Sequence, residues 1–209
     1  LTLGFKAERE LLEDMQYDGF FTSAANLGQA FNRKVVKDEA SVFNNAFATA
    51  GYDAQALVSA SHPRSKTDAT TVSNTMGTVA LTDANLEAAI VKLEGLGDDR
   101  GEETAAMATH LIVGRANRQT ALKLVGSTQE PETANNAINT HTGLQVVVHP
   151  MISSKKWFVI DAPMAQMSMI WYWRLQAAFA ADEDKSSTLV RSFFGRMRYS
   201  FGWQDFRWI

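Results

Sequence analysis

The chain has 209 residues, of which 45% are hydrophobic and 21% charged, and its formal net charge is −3. This balance is typical of a folded domain or a pair of domains, and it gives no overall attraction to nucleic acid or to an anionic membrane. The sequence contains no cysteine, which excludes disulfides, thiolate metal sites and cysteine nucleophiles. No apolar run approaches the ~20 residues that span a bilayer, so we expect no membrane partner. The sequence starts at Leu1 rather than at a methionine, and we expect the gene product to extend before it.

The first long segment, residues 8–48, has a helical pattern. Apolar residues recur at steps of three or four positions and define one face. Gly19 and Gly28 each weaken this helix by about 1 kcal/mol relative to alanine, so a break near residues 18–19 stays open. The segment is still far longer than the mean helix of ~11–12 residues. It therefore predicts an extended architecture built on a helical spine.

The middle of the chain is predicted to alternate loops with short regular elements. Residues 51–81 are too polar for a core and predict a loop. Thr82 is the expected N-cap of a second helix, which has Asp83 in its first turn and ends in the glycine-rich stretch 95–103. "THLIVG" then predicts a strand at 109–114, and "ANRQTALKLVGS" predicts a helix that Gly126 closes.

Residues 143–161, "GLQVVVHPMISSKKWFVID", hold two apolar runs with a polar turn between them. The first run ends in His149-Pro150 and the second begins at Trp157. This arrangement predicts a β-hairpin, whose histidine, lysines and aspartate are either the ingredients of an active site or parts of a purely structural turn. Lys155 and Lys156 are then solvated residues of the turn.

The last part of the chain predicts a long strand from Leu189 to Phe201, after the segment "MSMIWYWR" and an acidic loop "ADEDKSS". Alternation along this strand separates an apolar face from a cationic one, and Gly195 is a candidate bulge. The aromatic ending "GWQDFRWI" is unlike a flexible tail, so we expect it to pack on the subunit or on a neighbour. The apolar face consists of Met197, Tyr199 and Phe201, and the opposite face of Arg196, Arg198 and Ser200.

The sequence predicts no catalytic, cofactor or metal site. The nucleophile elbow and the glycine-rich phosphate-binding motifs are absent, and the acidic triplet 182–184 lacks the order of a calcium-binding loop. None of the histidines has the spacing of a metal-ligand pair, and all fall in predicted loops or at strand edges. We therefore interpret them as hydrogen-bonded structural residues. These histidines are His62, His110, His141 and His149.

The succession of segments resembles the major capsid proteins of tailed bacteriophages, and within them the Mu-like prophage head-subunit branch. The matching segments run in the family's order and cover nearly all of the chain. They are diffuse patterns rather than catalytic signatures, so the resemblance depends on their order. The segments are "ERELLEDMQYDGF", the long helix to "NNAF", "ALVSASHPRS", "LTDANLEAAIVKL", "ATHLIVGRANRQTALKLVGS", "GLQVVVHPMISSKKWFVID" and "VRSFFGRMRYSFGWQDFRW".

The resemblance implies an α+β fold of the Hong Kong 97 capsid type, with a long spine helix, a peripheral-domain sheet and an α/β axial domain. Residues 1–80 correspond to the peripheral domain with the spine helix, and the start of the chain to the end of an extended loop. Residues 81–142 correspond to the axial domain. Residues 143–209 return to the peripheral and axial sheet and supply the last strand.

The resemblance also implies a structural role without enzymatic activity or cofactor. Many copies of the chain would form the hexamers and pentamers of an icosahedral shell, which encloses double-stranded DNA without sequence-specific binding. Scaffold, portal and decoration proteins are candidate further partners. The location is the virion, with assembly in the host bacterial cytoplasm. Two alternatives stay open: an encapsulin-like nanocompartment shell protein and a small α/β enzyme.

Charged and aromatic residues near the end of the chain are the candidate contacts between subunits. Adjacent arginines on one strand repel each other, and they are costly to bury without partners. Carboxylates of a neighbouring subunit would remove that cost and set the register between copies. The candidate interface residues are Arg191, Arg196, Arg198, Asp182, Glu183, Asp184, Trp203 and Trp208.

Overall fold

A computed structural model describes residues 1–8, 17–129, 138–153, 155–182 and 190–209. The chain divides into two compact units. The first unit combines Leu1–Asp38 with Trp171–Phe201, and the second combines Glu39–Ile170 with Gly202–Ile209. None of the helices in these described ranges is both long and apolar enough to cross a membrane.

The first unit contains a long helix and a three-stranded sheet. Helix α1 (Tyr17–Asn44) has 28 residues and starts in this unit. Strands β1 (Thr2–Glu8), β7 (Met169–Ala181) and β8 (Val190–Trp203) form the sheet in the order β1-β8-β7. The antiparallel pairing of β1 with β8 runs from Thr2 opposite Arg196 to Glu8 opposite Val190.

The predicted spine helix is confirmed from Tyr17 to Asn44, and it runs through both internal glycines without a break. Its predicted start was wrong at Glu8, because that residue ends β1 and is hydrogen-bonded in the sheet. Residues 9–16, which the prediction also placed in the helix, lie outside the described residues. The predicted last strand is confirmed from Val190 and continues to Trp203.

Gly195 does not form the predicted bulge, since the register between β1 and β8 passes through it without interruption. The reason for a glycine is space. A β-carbon at this position would lie 2.8 Å from the ring of Phe179 and 2.9 Å from the ring of Phe31. Those two rings meet edge to face, with centroids 5.4 Å apart. Gly195 therefore lets α1 and β7 bring their aromatic side chains onto the centre of the sheet.

The second unit is built on a smaller sheet whose central strand is β4 (His110–Val113). Strand β5 (Gln145–Val148) pairs with β4 in parallel, and β6 (Trp157–Ile160) pairs with it in antiparallel fashion. A 3₁₀ turn (Arg115–Asn117) and helix α3 (Arg118–Gly126) begin the connection from β4 to β5. The predicted strand at 109–114 and the predicted helix closed at Gly126 are confirmed.

The predicted hairpin at 143–161 was wrong, because β4 lies between its two strands. Three of the four residues of β4 are buried, and hydrogen bonds to both neighbours satisfy its backbone. The turn that follows β5 wraps the end of β4 instead: the amide of His149 donates to the carbonyl of Val113, and the amide of Gly114 to the carbonyl of Lys156. A β-carbon on Gly114 would lie 2.6 Å from a carbonyl of this turn, so only glycine fits there.

The turn is also held by the end of α1. Asn44 donates its side-chain amide to the carbonyl of Met151 at 2.8 Å and accepts from the amide of Ser153 at 2.7 Å. Lys156 donates to the Asn44 carbonyl at 2.5 Å and lies over the ring of Phe47. The prediction that this lysine is a solvated turn residue was wrong, because its ammonium group has a fixed backbone acceptor. Lys155 is exposed, as predicted.

Helix α2 (Asp83–Glu94) covers the sheet of the second unit, and its predicted cap is confirmed. The hydroxyl of Thr82 accepts a hydrogen bond from the amide of Asn85 at 3.3 Å. Helices α2 and α3 and strand β4 share one apolar core. Its most buried members are Leu86, Leu111, Val113 and Ala121.

The segment 51–81 has little regular structure, as predicted, apart from a two-residue pairing of β2 (His62–Pro63) with β3 (Thr71–Val72). Although the segment is polar in composition, it contributes residues to the core, since Leu57 and His62 are at most 1% exposed. Helix α4 (Ala162–Ser168) was not predicted. The sequence pattern that indicates this helix is an aspartate followed two residues later by a proline. Asp161 caps the helix by accepting from the amide of Met164 at 3.0 Å, and Pro163 lies in the first turn, where proline is favoured.

Candidate subunit interface

The outward face of the first unit's sheet carries a row of cations. Side chains of β8 alternate between faces, so that Met197 is 1% exposed while Arg196 and Arg198 are exposed. The register with β1 places Lys6 on the same face as Arg196. In β7, the neighbours of Arg174 point to the other face, because Trp173 contacts Tyr199 at 5.0 Å between ring centroids. Arg174 therefore also belongs to the outward face.

We name these four residues, Lys6, Arg174, Arg196 and Arg198, the cationic face. Within the described ranges none of them forms an ion pair or a hydrogen bond from its side chain. Sequence alternation identified two of the four. The other two lie in strands that join the face only through sheet pairing, and no local pattern could have indicated them.

Arg191 does not belong to the cationic face. It lies an odd number of residues from Arg196, and its guanidinium is 5.8 Å from the ring centroid of Phe193, two positions along the same strand. Its partner across the sheet is the buried residue Ala7. Of the three predicted arginines, the structure thus brings two together and places the third on the opposite face.

The structure describes one of the three predicted acidic partners, Asp182. Asp182 is exposed, and its amide donates to the carbonyl of Ser192 at 2.8 Å. Four residues of strand, about 13 Å, separate Ser192 from Arg196, which is too far for an ion pair within one chain. Glu183 and Asp184 lie outside the described residues. A contact between Asp182 and Arg196 would therefore have to come from another copy.

The closing segment, Gly202–Ile209, packs within the second unit. Trp208 has no exposed surface; its indole N–H donates to the carbonyl of Asp205 at 2.8 Å, and its own carbonyl accepts from the amide of Asp161 at 3.0 Å. Phe206 is 1% exposed. The prediction that the aromatic ending packs on the subunit is confirmed for these two residues. Trp208 is withdrawn as an interface candidate, because a fully buried indole has no surface to offer a neighbour.

Trp203 remains a candidate, since it is half-buried. Its indole nitrogen would lie 2.9 Å from a β-carbon added to Gly51. The side chain therefore uses part of its surface to pack on the backbone of the second unit. The remaining part is accessible.

Arg207 is a buried cation that sequence reasoning missed. Its guanidinium donates to the carbonyls of Gly97 and Arg64, both at 3.0 Å, and to the carboxylates of Asp99 at 2.5 Å and Asp205 at 3.1 Å. Burial alone would lower the pKa of Arg207, but the two carboxylates more than offset this and raise it above the usual value. The arginine therefore fastens the closing segment to two separate loops.

All four histidines lie in loops or at the ends of strands, as predicted, and two of them, His62 and His141, are buried. His62 lies 2.6 Å from the carboxylate of Asp53, and its ring stacks on Phe206 with centroids 3.7 Å apart. His141 is 4% exposed and lies 3.1 Å from the carboxylate of Asp83. Both pairs fasten loops to the second unit. In the ranges that the structure describes, no group of three or more potential ligands could hold a metal ion.

Comparison with known proteins identifies the family to which this fold belongs. A family model described as "phage capsid protein" matches residues 2–209. The chain belongs to the phage capsid protein family. A comparison with curated protein sequences finds no match.

Solved capsid structures share the fold at low sequence identity. The capsid of bacteriophage JBD30, decorated with minor capsid protein trimers, matches with 13% identity and a TM-score of 0.59 over 73% of this chain and 74% of that chain. A chain of Microbacterium phage Oxtober96 matches with 13% identity and a TM-score of 0.57 over 98% of this chain and 66% of that chain. The predicted α+β fold of the Hong Kong 97 type is confirmed.

The chain is therefore a structural protein of a phage capsid shell. Nothing in the comparisons supports the nanocompartment or the enzyme alternative. The cationic face, rather than a pocket with catalytic groups, is the feature of the described surface that requires a functional explanation.

Proposed function

We propose that this chain is the major head subunit of a tailed bacteriophage, close to the Mu-like prophage branch. Many copies assemble as hexamers and pentamers into an icosahedral shell around double-stranded DNA. Assembly takes place in the cytoplasm of the host bacterium, and the shell becomes part of the virion. The subunit has no enzymatic activity and needs no cofactor. The match of the family model to residues 2–209 is the observation that carries this proposal.

The two ends of the chain build the peripheral domain in this proposal. Residues 1–80 contribute α1 as the spine, and residues 143–209 return with the 13- and 14-residue strands β7 and β8. Residues 81–142 form the axial domain around α2, β4 and α3. The pairing of β1 with β8 supports the assignment, because it joins the first and last parts of the chain in one sheet.

The cationic face is proposed to contact carboxylates of a neighbouring subunit. Exposed arginines without partners are ordinary on a strand that faces water. In a shell, however, neighbouring copies cover much of each subunit, and burying unpaired guanidinium groups would be costly. Carboxylates that meet them also fix which copies pair and in which register. Asp182, Glu183 and Asp184 of a second copy are the candidate partners.

The shell proposal is tested on particles from a phage or prophage that carries this gene. Negative-stain images of particles made by the complete gene product should show closed icosahedral shells. Protein densitometry of purified virions should show this chain as the most abundant component. A few copies per virion would instead indicate a minor capsid protein, and the major-subunit proposal would be wrong.

The cationic face is tested by charge reversal. Arg196→Glu combined with Arg198→Glu should prevent shell formation while circular dichroism of the subunit stays unchanged, because both side chains are exposed in the subunit. Arg115→Glu with Arg118→Glu is the matched control, since it reverses two exposed arginines of the second unit. Assembly of the unmodified chain should weaken as salt screens the contact. Normal shells from the β8 double variant across a range of salt would refute the proposed contact.

A further inference from the structure

The strand β7 forms an edge of the first unit's sheet. The strand order β1-β8-β7 leaves one side of β7 without a partner strand in the described part of the chain. Over Trp171–Ala181, no described residue hydrogen-bonds to the N–H and C=O groups of that side. Such a row of unpaired backbone groups is a template for pairing with a second chain.

Natural proteins protect long edges with lysine, proline, bulges or very short strands. The edge segment "WYWRLQAAFAA" contains no lysine or proline, and Arg174 is its single charge. It belongs to a 13-residue strand, which is not short. It also exposes large aromatic side chains on both faces: Tyr172 is 67% exposed, Trp173 44% and Phe179 56%. An unprotected apolar edge indicates a place where another chain pairs.

The distribution of side-chain sizes indicates which chain this is. The first part of the segment is bulky, with Trp171, Tyr172 and Trp173, whereas the second part is mostly alanine. If two copies of the strand pair in antiparallel fashion about Leu175, Tyr172 lies opposite Ala178 and Trp173 opposite Ala177. Tyr172 and Trp173 of one copy then cover alanines of the other in both halves of the pair, while Trp171 lies opposite Phe179 as an aromatic pair.

We propose that β7 pairs with β7 of a second copy across a two-fold axis at Leu175, which joins the two three-stranded sheets into one six-stranded sheet. Such a contact is isologous, so a self-complementary strand is the sequence that it requires. Arg174 faces Gln176 of the partner subunit, and no like charges lie directly opposite each other. The inference rests on the proposed shell function, since assembly brings copies together, and it names one of the contacts within the shell.

None of residues 1–209 is a cysteine, so cysteines introduced into β7 have no competing thiol within this part of the gene product. Two single variants, Tyr172→Cys and Ala178→Cys, are oxidised separately and as a mixture during assembly of the complete gene product. In the proposed register the two positions lie opposite each other, with β-carbons about 4.5–5.5 Å apart, close to disulfide range. Within either single variant the two thiols are about six residues of strand apart, roughly 20 Å. Only the mixture should give a band at twice the monomer mass.

The outcomes separate this inference from the function on which it rests. Dimer in the mixture and monomer in each single variant would support the two-fold strand pair. Cross-linking of a single variant, or none in the mixture, would overturn it, even if electron microscopy still shows normal shells. If the β7 amides are protected from hydrogen exchange but no cross-link forms, a different segment covers the edge. That result would also overturn the two-fold strand pair. Failure of the unmodified chain to form shells would count against the proposed function instead.

Discussion

Replacement of Trp208 by alanine should remove a large part of the second unit's stability. The side chain is fully buried, and its ring meets Phe43 edge to face with centroids 6.3 Å apart. Burial of a tryptophan removes about 150–250 Å² from water, which at ~25 cal/mol per Å² corresponds to about 4–6 kcal/mol. This is an upper value, because the unfolded chain already covers some apolar surface. Measured losses for such truncations are about 3–5 kcal/mol, and we expect Trp208→Ala to fall in this range.

Urea denaturation followed by far-ultraviolet circular dichroism measures the loss directly. For a protein of this size, ~1 kcal/mol shifts the melting temperature by about 2–4 °C, so thermal melting should move down by roughly 6–20 °C. Trp208→Phe retains most of the burial but removes the donor to the Asp205 carbonyl, and should cost about 1–2 kcal/mol. Met167→Ala is the control, because Met167 is 83% exposed in the same unit and its loss should be within about 0.5 kcal/mol.

The series is decisive because its members differ in burial and hydrogen bonding rather than in hydrophobic character. If Trp208→Ala costs no more than Met167→Ala, the closing segment does not belong to the core of the second unit. The withdrawal of Trp208 as an interface residue would then be wrong as well. If Trp208→Phe costs as much as Trp208→Ala, the indole hydrogen bond outweighs ring burial.

Two further predictions concern packing at single positions. His62→Ala should lower the free energy of unfolding in urea by about 3–5 kcal/mol, because it leaves the buried carboxylate of Asp53 without its histidine partner. The control His149→Ala should lower it by less than about 1 kcal/mol. Equal losses in the two variants would contradict the buried pair. Gly195→Ala should lower thermal stability by about 1–3 kcal/mol, since its β-carbon would meet two aromatic rings below 3.0 Å. Gly28→Ala, in α1 with nothing within 4 Å, should stabilise by about 0.5–1 kcal/mol, and identical melting of the two alanine variants would refute the close ring contacts.

Part of the candidate interface could be predicted from local sequence. The alternation of Met197, Tyr199 and Phe201 with arginines fixed the two faces of β8, because successive side chains of a strand point in opposite directions. Lys6 and Arg174 joined the cationic face only through strand order and register. These depend on contacts between distant parts of the chain, and a local pattern carries no information on them.

The same division holds for the whole fold. The sequence by itself determined the long helix, the Thr82 cap and the strands β4, β5, β6 and β8, because period, capping and side-chain branching act within a few residues. It did not determine that β4 enters between β5 and β6, since an apolar run specifies a strand but not its neighbours. Burial of His62 and Trp208 likewise depended on tertiary packing, in which Asp53, Asp161 and Asp205 supply partners from elsewhere in the chain. A polar atom can be buried when such partners exist, and only the folded structure brings them together.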